Sequence, residues 1–204
     1  MNLELINRIY YLEKEIERLE TLETAVGVGE SAFTLISSQR LTAPAASISF
    51  TNIPASYTHL FFIGSLRTAN TFEGDSIYMS FNGIALPNAA FVSTVTHNST
   101  GGFGNSQVAQ RLSCSTCPDT ISPAGFFGPF SLWVFWYTKT DRNRMAKSLY
   151  GYGADATAPD IYSSAGSATS MWINTADVVN RVDLFPASAA NFLAGCQVSL
   201  FGVN

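Results

Sequence analysis

The feature that most constrains this chain is a change of hydrophobic period near Ser31. Before it, apolar residues step by four and three through Leu5, Ile9, Leu12, Ile16 and Leu19, a heptad seam with isoleucine at a and leucine at d. After it, short apolar runs alternate with a period of two and are separated by turn clusters, as in an all-β domain. A stretch of backbone cannot satisfy both periods, so the chain reads as a helix joined to a β body. The expected divisions are residues 1–24 as a coiled-coil helix, 25–32 as a glycine-containing hinge, and 33–204 as an antiparallel, jelly-roll-like β-sandwich.

The seam predicts association between chains. Roughly twenty helical residues span only about 30 Å, which makes a marginal coiled coil that needs help from the body it carries. Leu3, Ile6, Tyr10 and Tyr11 make the first turns apolar nearly all round, so this end reads as an anchor to be embedded in a bundle or a larger neighbour. The helix is also the acidic part of the chain. Residues 1–30 hold Glu4, Glu13, Glu15, Glu17, Glu20, Glu23 and Glu30 against Arg8, Lys14 and Arg18, which accounts for the net charge of −4.

The remaining acids and bases balance, with no basic stripe to neutralise a phosphate backbone, so nucleic acid is not an expected partner. No apolar run approaches the length of a membrane span, and no secretory leader pattern opens the chain. Charged residues are only 13% of the whole against 47% hydrophobic, so the body is expected to bury surface against partners as well as within itself.

Ten strands are expected: Phe33–Ser37, Ser47–Phe50, Tyr57–Arg67, Ser76–Phe81, Phe91–Thr96, Phe130–Thr138, Ser148–Tyr152, Ser170–Ile173, Asn180–Phe185 and Gln197–Phe201. Asn82-Gly83 predicts a tight hairpin turn, since both residues tolerate positive φ. Thr140–Arg144 predicts a second hairpin with a solvated basic tip. His97–Gln107 and Ser113–Gly128, rich in Gly, Ser, Asn and Pro, read as long loops. Loop aromatics Phe72, Phe103, Phe126 and Phe127 are the candidate recognition or interface residues, able to stack on sugar rings or to plug a subunit contact.

Chemistry is sparsely represented. Cys114 and Cys117 have the spacing of half a zinc or redox site, but the partners such sites need are not apparent, and the pair reads as two small loop residues. Gly101–Gly104 lacks the Lys-Ser/Thr and the following helix of a phosphate-cradling loop. The histidines, His59 in a strand and His97 at a strand end, sit in no nucleophile–base–acid motif. Glu73, Asp75, Asp155 and Asp160 would have to converge to cleave a glycoside. No catalytic residue, cofactor or metal site is expected.

Four stretches, Leu35–Thr42, Ser47–Leu60, Trp172–Asp177 and Asn191–Gly202, resemble small β-sandwich virion structural proteins of tailed bacteriophages, of the tail-fibre or head-decoration type. The coiled-coil segment is not part of that pattern. The resemblance implies a non-enzymatic virion surface appendage, commonly a homotrimer, whereas the seam alone leans toward a dimer. It would be anchored to other virion proteins by its N-terminal segment, with the sandwich facing outward toward a host-surface glycan or receptor. The alternative is a free carbohydrate-binding β-sandwich module oligomerised by the helix.

Overall fold

The computed structural model describes Lys14 and residues 32–71, 74–84, 91–99, 102–109, 112–120, 122–152 and 164–204, with backbone alone for 91–99, 102–109, 152 and 164. The expected coiled coil, its seam and its anchor therefore lie outside the described residues, as does nearly all of the hinge. Of the chain's two compact units, Met1–Thr34 and Leu35–Asn204, the second holds the β body apart from the first two residues of its opening strand.

Among the described residues that body is all-β, with twelve strands: β1 (Phe33–Arg40), β2 (Ile48–Phe50), β3 (His59–Leu66), β4 (Asp75–Phe81), β5 (Phe91–Ser99), β6 (Gly102–Ala109), β7 (Leu112–Cys117), β8 (Gly128–Phe135), β9 (Arg144–Tyr152), β10 (Ser164–Trp172), β11 (Val182–Pro186) and β12 (Gln197–Val203). Eight form one sheet in the order β1-β12-β3-β8-β9-β10-β5-β6, and four form the other in the order β2-β11-β4-β7. Neighbouring strands run antiparallel, as in β3 with β8, where Leu60 faces Val134 and Phe62 faces Leu132.

The period of two places one set of side chains between the sheets. Leu60, Phe62 and Leu66 of β3, Leu132 and Val134 of β8, and Val198 and Leu200 of β12 are buried from the larger sheet. Ile48 and Phe50 of β2, Ile77, Met79 and Phe81 of β4, and Val182 and Leu184 of β11 are buried from the smaller. Aromatic rings tie the layers together: Phe50 meets Phe62 edge-on at 5.5 Å, and Phe81 meets Trp172 at 5.2 Å. The result is a β-sandwich with its core between two antiparallel sheets.

Three expectations are corrected. His97–Gln107 is no loop: it spans the end of β5 and most of β6, which pair from Val92 opposite Ala109 to Ser99 opposite Gly102. Ser113–Gly128 opens with β7, so Cys114 and Cys117 are strand residues, both fully buried. A bulge in the β4–β7 pairing lets Ser113 face Tyr78 and Ser115 face Ile77, leaving Cys114 extra, with its thiol donating to the Ile77 carbonyl. That insertion breaks the alternation by which a strand is recognised.

The third correction concerns Asn82-Gly83. The turn forms with positive φ at both residues and an Ile84 N–H to Phe81 carbonyl bond. It does not close a hairpin, because β4 pairs with β11 and β7 while β5 lies in the other sheet. The Asn82 side chain instead clasps a distant loop, donating to the Val178 carbonyl and accepting from the Asn180 and Arg181 N–H groups.

Candidate interaction surface

Strands β3 and β8 contain the runs Leu60-Phe-Phe-Ile63 and Leu132-Trp-Val-Phe135, which are apolar at inward and outward positions alike. A strand of this kind needs cover on both faces. The smaller sheet supplies one. On the other, pairing registers align Phe201, Phe61 and Trp133 across β12, β3 and β8, with Lys147 of β9 next in the row. A flanking row runs Ile63, Ser131, Leu149, and a third runs His59, Phe135, Met145.

The rings form a continuous ladder. Phe61 lies 4.9 Å from Trp133 and 6.3 Å from Phe201, and Trp133 stacks on Phe135 at 5.8 Å with only 7° between planes. Beside them the aliphatic groups stand open: Ile63 is 48% exposed and Leu149 59%, with Met145 also exposed. Between Ile63 and Leu149, over Ser131, Pro129 and Gly151, lies a shallow groove of about 320 Å³. Full burial of a side chain of this kind is worth roughly 1.5–3 kcal/mol, so the half-exposed ones each hold about 1 kcal/mol in reserve.

Electrostatics mark the same face. Among the outward positions of β12, β3, β8 and β9, Lys147 carries the only fixed charge. His59 sits between the Phe135 and Trp136 rings, and its Nδ1 accepts the Trp136 backbone N–H at 3.1 Å. Burial pushes its pKa down. The outer face of the smaller sheet is more polar, with Ser49, Ser76 and the buried Ser80 beside the Arg181–Asp183 ion pair at 2.9 Å, and its half-buried Tyr78 and Phe185 rings meet edge-on at 6.2 Å.

The residues singled out from sequence fall elsewhere. Leu3, Leu5, Ile6, Ile9, Tyr10, Tyr11, Leu12, Ile16, Leu19 and Phe72 lie outside the described residues, and Phe103 falls on β6 where the backbone alone is described. Phe126 is exposed in the segment before β8. Phe127, next to it, packs against the core, and its ring lies so close to Gly195 that an added Cβ there would meet it at 2.8 Å.

Each described carboxylate accepts hydrogen bonds from within the fold. Asp75 takes the Ser188 hydroxyl at 2.5 Å, Asp119 the Gly74 N–H at 2.6 Å, and Asp177 the Asn174 amide at 2.8 Å. Asp183 pairs with Arg181, and Arg142 beside Asp141 holds that carboxyl down at about 2. Glu73, Asp155 and Asp160 lie outside the described residues. No group of three His, Cys, Asp or Glu side chains is placed to hold a metal ion, and no helix is long and apolar enough to cross a membrane, among the described residues.

The expected solvated tip of the β8–β9 hairpin is half right. Asp141 and Arg142 are exposed there, but Arg144 is fully buried. Its guanidinium donates to the Asn174 and Asp177 carbonyls and lies over the Trp172 ring at 5.3 Å. On the opposite side of the core, Arg67 forks onto the Ser122 and Pro123 carbonyls at 2.7 Å each. The two arginines serve as pins for long connections.

Comparison with known proteins adds no relative: no family model, no curated protein and no solved structure matches this chain.

Proposed function

We propose that this chain is a non-enzymatic structural protein that works as an assembly of copies, a surface appendage of a tailed-phage virion of the tail-fibre or capsid-decoration type. The seam Leu5–Leu19 would join three copies, Leu3, Ile6, Tyr10 and Tyr11 would seat them on a larger particle, and a jelly-roll-like sandwich would be held outward. The observation that carries this reading is the character of the body's most developed surface. It is a wide, nearly uncharged aromatic and aliphatic sheet face, suited to packing, rather than a cleft of convergent polar groups.

Support also comes from where the family-like stretches lie. Leu35–Thr42, Ser47–Leu60 and Asn191–Gly202 meet in space: Gln39 donates to the Ser49 carbonyl, Leu41 exchanges backbone bonds with Gly195 and Cys196, and Leu60 pairs with Gly202. The fourth stretch, Trp172–Asp177, lies apart from these, at the end of β10 beside Arg144. A sugar platform on the loop aromatics is less well supported, because stacking on a pyranose needs an open ring face and Phe127 packs against the core.

The test is the position of the chain in an intact particle. Density for the sandwich in repeated copies on a capsid or tail tip is the expected result. A purified chain that is monomeric and binds monosaccharides without any particle would overturn it.

A further inference from the structure

We propose that the outer face of the eight-stranded sheet, centred on Ile63, Ser131 and Leu149, is the surface on which a second copy of this chain packs. The proposal rests on the assembly reading above and assigns the contact to one side of the body. The two outer faces of the sandwich differ: the smaller sheet turns serines, an ion pair and the half-buried Tyr78–Phe185 ring pair outward, whereas the larger turns Ile63, Leu149 and Met145 outward as exposed apolar groups. An apolar patch rimmed by polar residues is the mark of a protein–protein contact.

The occupant follows from the chain itself. The heptad seam is joined to β1 by residues 20–32, a tether that even fully extended reaches only about 45 Å. Any copies joined at the seam therefore present their sandwiches to one another at an effective concentration on the order of millimolar, enough to close weak apolar contacts. Lys147 is the only fixed charge on β12, β3, β8 and β9 facing outward, and its aliphatic stem can bend its ammonium to the rim, so a neighbouring copy meets little charge on this face. The ridges at Ile63 and Leu149 flank a groove over Ser131, so the face offers both knob and hole to a neighbouring copy.

The three native cysteines are all buried, so a cysteine placed in the groove is a selective reporter. The full-length Ser131→Cys chain, treated with a polymer-linked maleimide and followed by gel shift, should label about tenfold or more slowly than a Thr140→Cys control at the exposed hairpin tip. Adding Leu149→Glu should restore the control rate. Equal labelling of Ser131→Cys and Thr140→Cys in a chain whose mass is still oligomeric would overturn this inference while leaving the assembly reading standing. A seam-broken chain, Ile9→Asp with Leu12→Asp, gives the second arm. Protection that persists in a species of proven monomer mass would mean that the chain covers its own face, which also overturns the inference, and protection lost together with the oligomer supports it.

Discussion

Gly64 and Gly202 sit where strands leave no room for a side chain. A Cβ on Gly64 would fall on the Gln197 carbonyl oxygen, which is backbone, and one on Gly202 would fall on the Tyr57 ring. Gly64→Ala should therefore cost about 3 kcal/mol, the upper end for overpacking, and Gly202→Ala less, since a ring can shift and a ladder carbonyl cannot. Thermal unfolding of the two variants checks the order. Arg144 makes a different kind of residue-scale claim. Its planar fork reaches two carbonyls at once, so Arg144→Met should lose about 2–3 kcal/mol, and Arg144→Lys should recover less than half of that in denaturant titrations.

His59 supplies the pH dependence. Neutral Nδ1 accepts the N–H of Trp136, a non-glycine residue held at φ 53°, and a protonated Nδ1 cannot. Because burial lowers the folded-state pKa, the unfolded chain binds more protons over the window between the two values. The contribution is complete above the ordinary value of about 6.5 and is lost as pH falls through the lower folded value. The denaturation midpoint of the native chain should fall between pH 7.5 and 5, and it should fall less in His59→Gln.

At the scale of elements, β7 and the entry to β12 hold the thiols. Cys114, Cys117 and Cys196 are fully buried, and burial pushes all three up from the ordinary thiol value. A disulfide reagent should find none of the three thiols in the native protein at neutral pH and all of them after unfolding; rapid reaction of Cys114 or Cys117 would contradict the strand assignment of β7. Those same elements mark how far sequence could be read. Strands rich in branched and aromatic residues, such as β3, β8 and β12, were legible from alternation and composition. β6, Gly102-Phe-Gly-Asn-Ser-Gln-Val-Ala109, and β7, Leu112-Ser-Cys-Ser-Thr-Cys117, were not. Their residues are those of turns when read locally, and their strand state is set by a long-range ladder and, in β7, by a bulge that breaks the period. β10 shows the same effect: Ser170–Ile173 was readable, but Ser164–Thr169 is small-residue chain made into strand by β9 and β5 on either side. The outer face was half legible. The unbroken apolar runs at Leu60–Ile63 and Leu132–Phe135 signal two covered faces, while attention to loop aromatics pointed away from them.

At the scale of the whole molecule, an eight-stranded sheet is backed by a four-stranded one, and the larger sheet keeps a low-charge aromatic face on its far side. A chain with 13% charged residues and such a face is built to be covered by something. On the proposed assembly, the heptad seam at its start would supply copies of the chain as the nearest cover. The account therefore stands on self-association of the intact chain, and light scattering on a size-exclusion column measures it most directly. The predicted mass is three times that of the 22.0 kDa chain, holding at micromolar concentration, and a single-chain mass of 22.0 kDa would contradict the account.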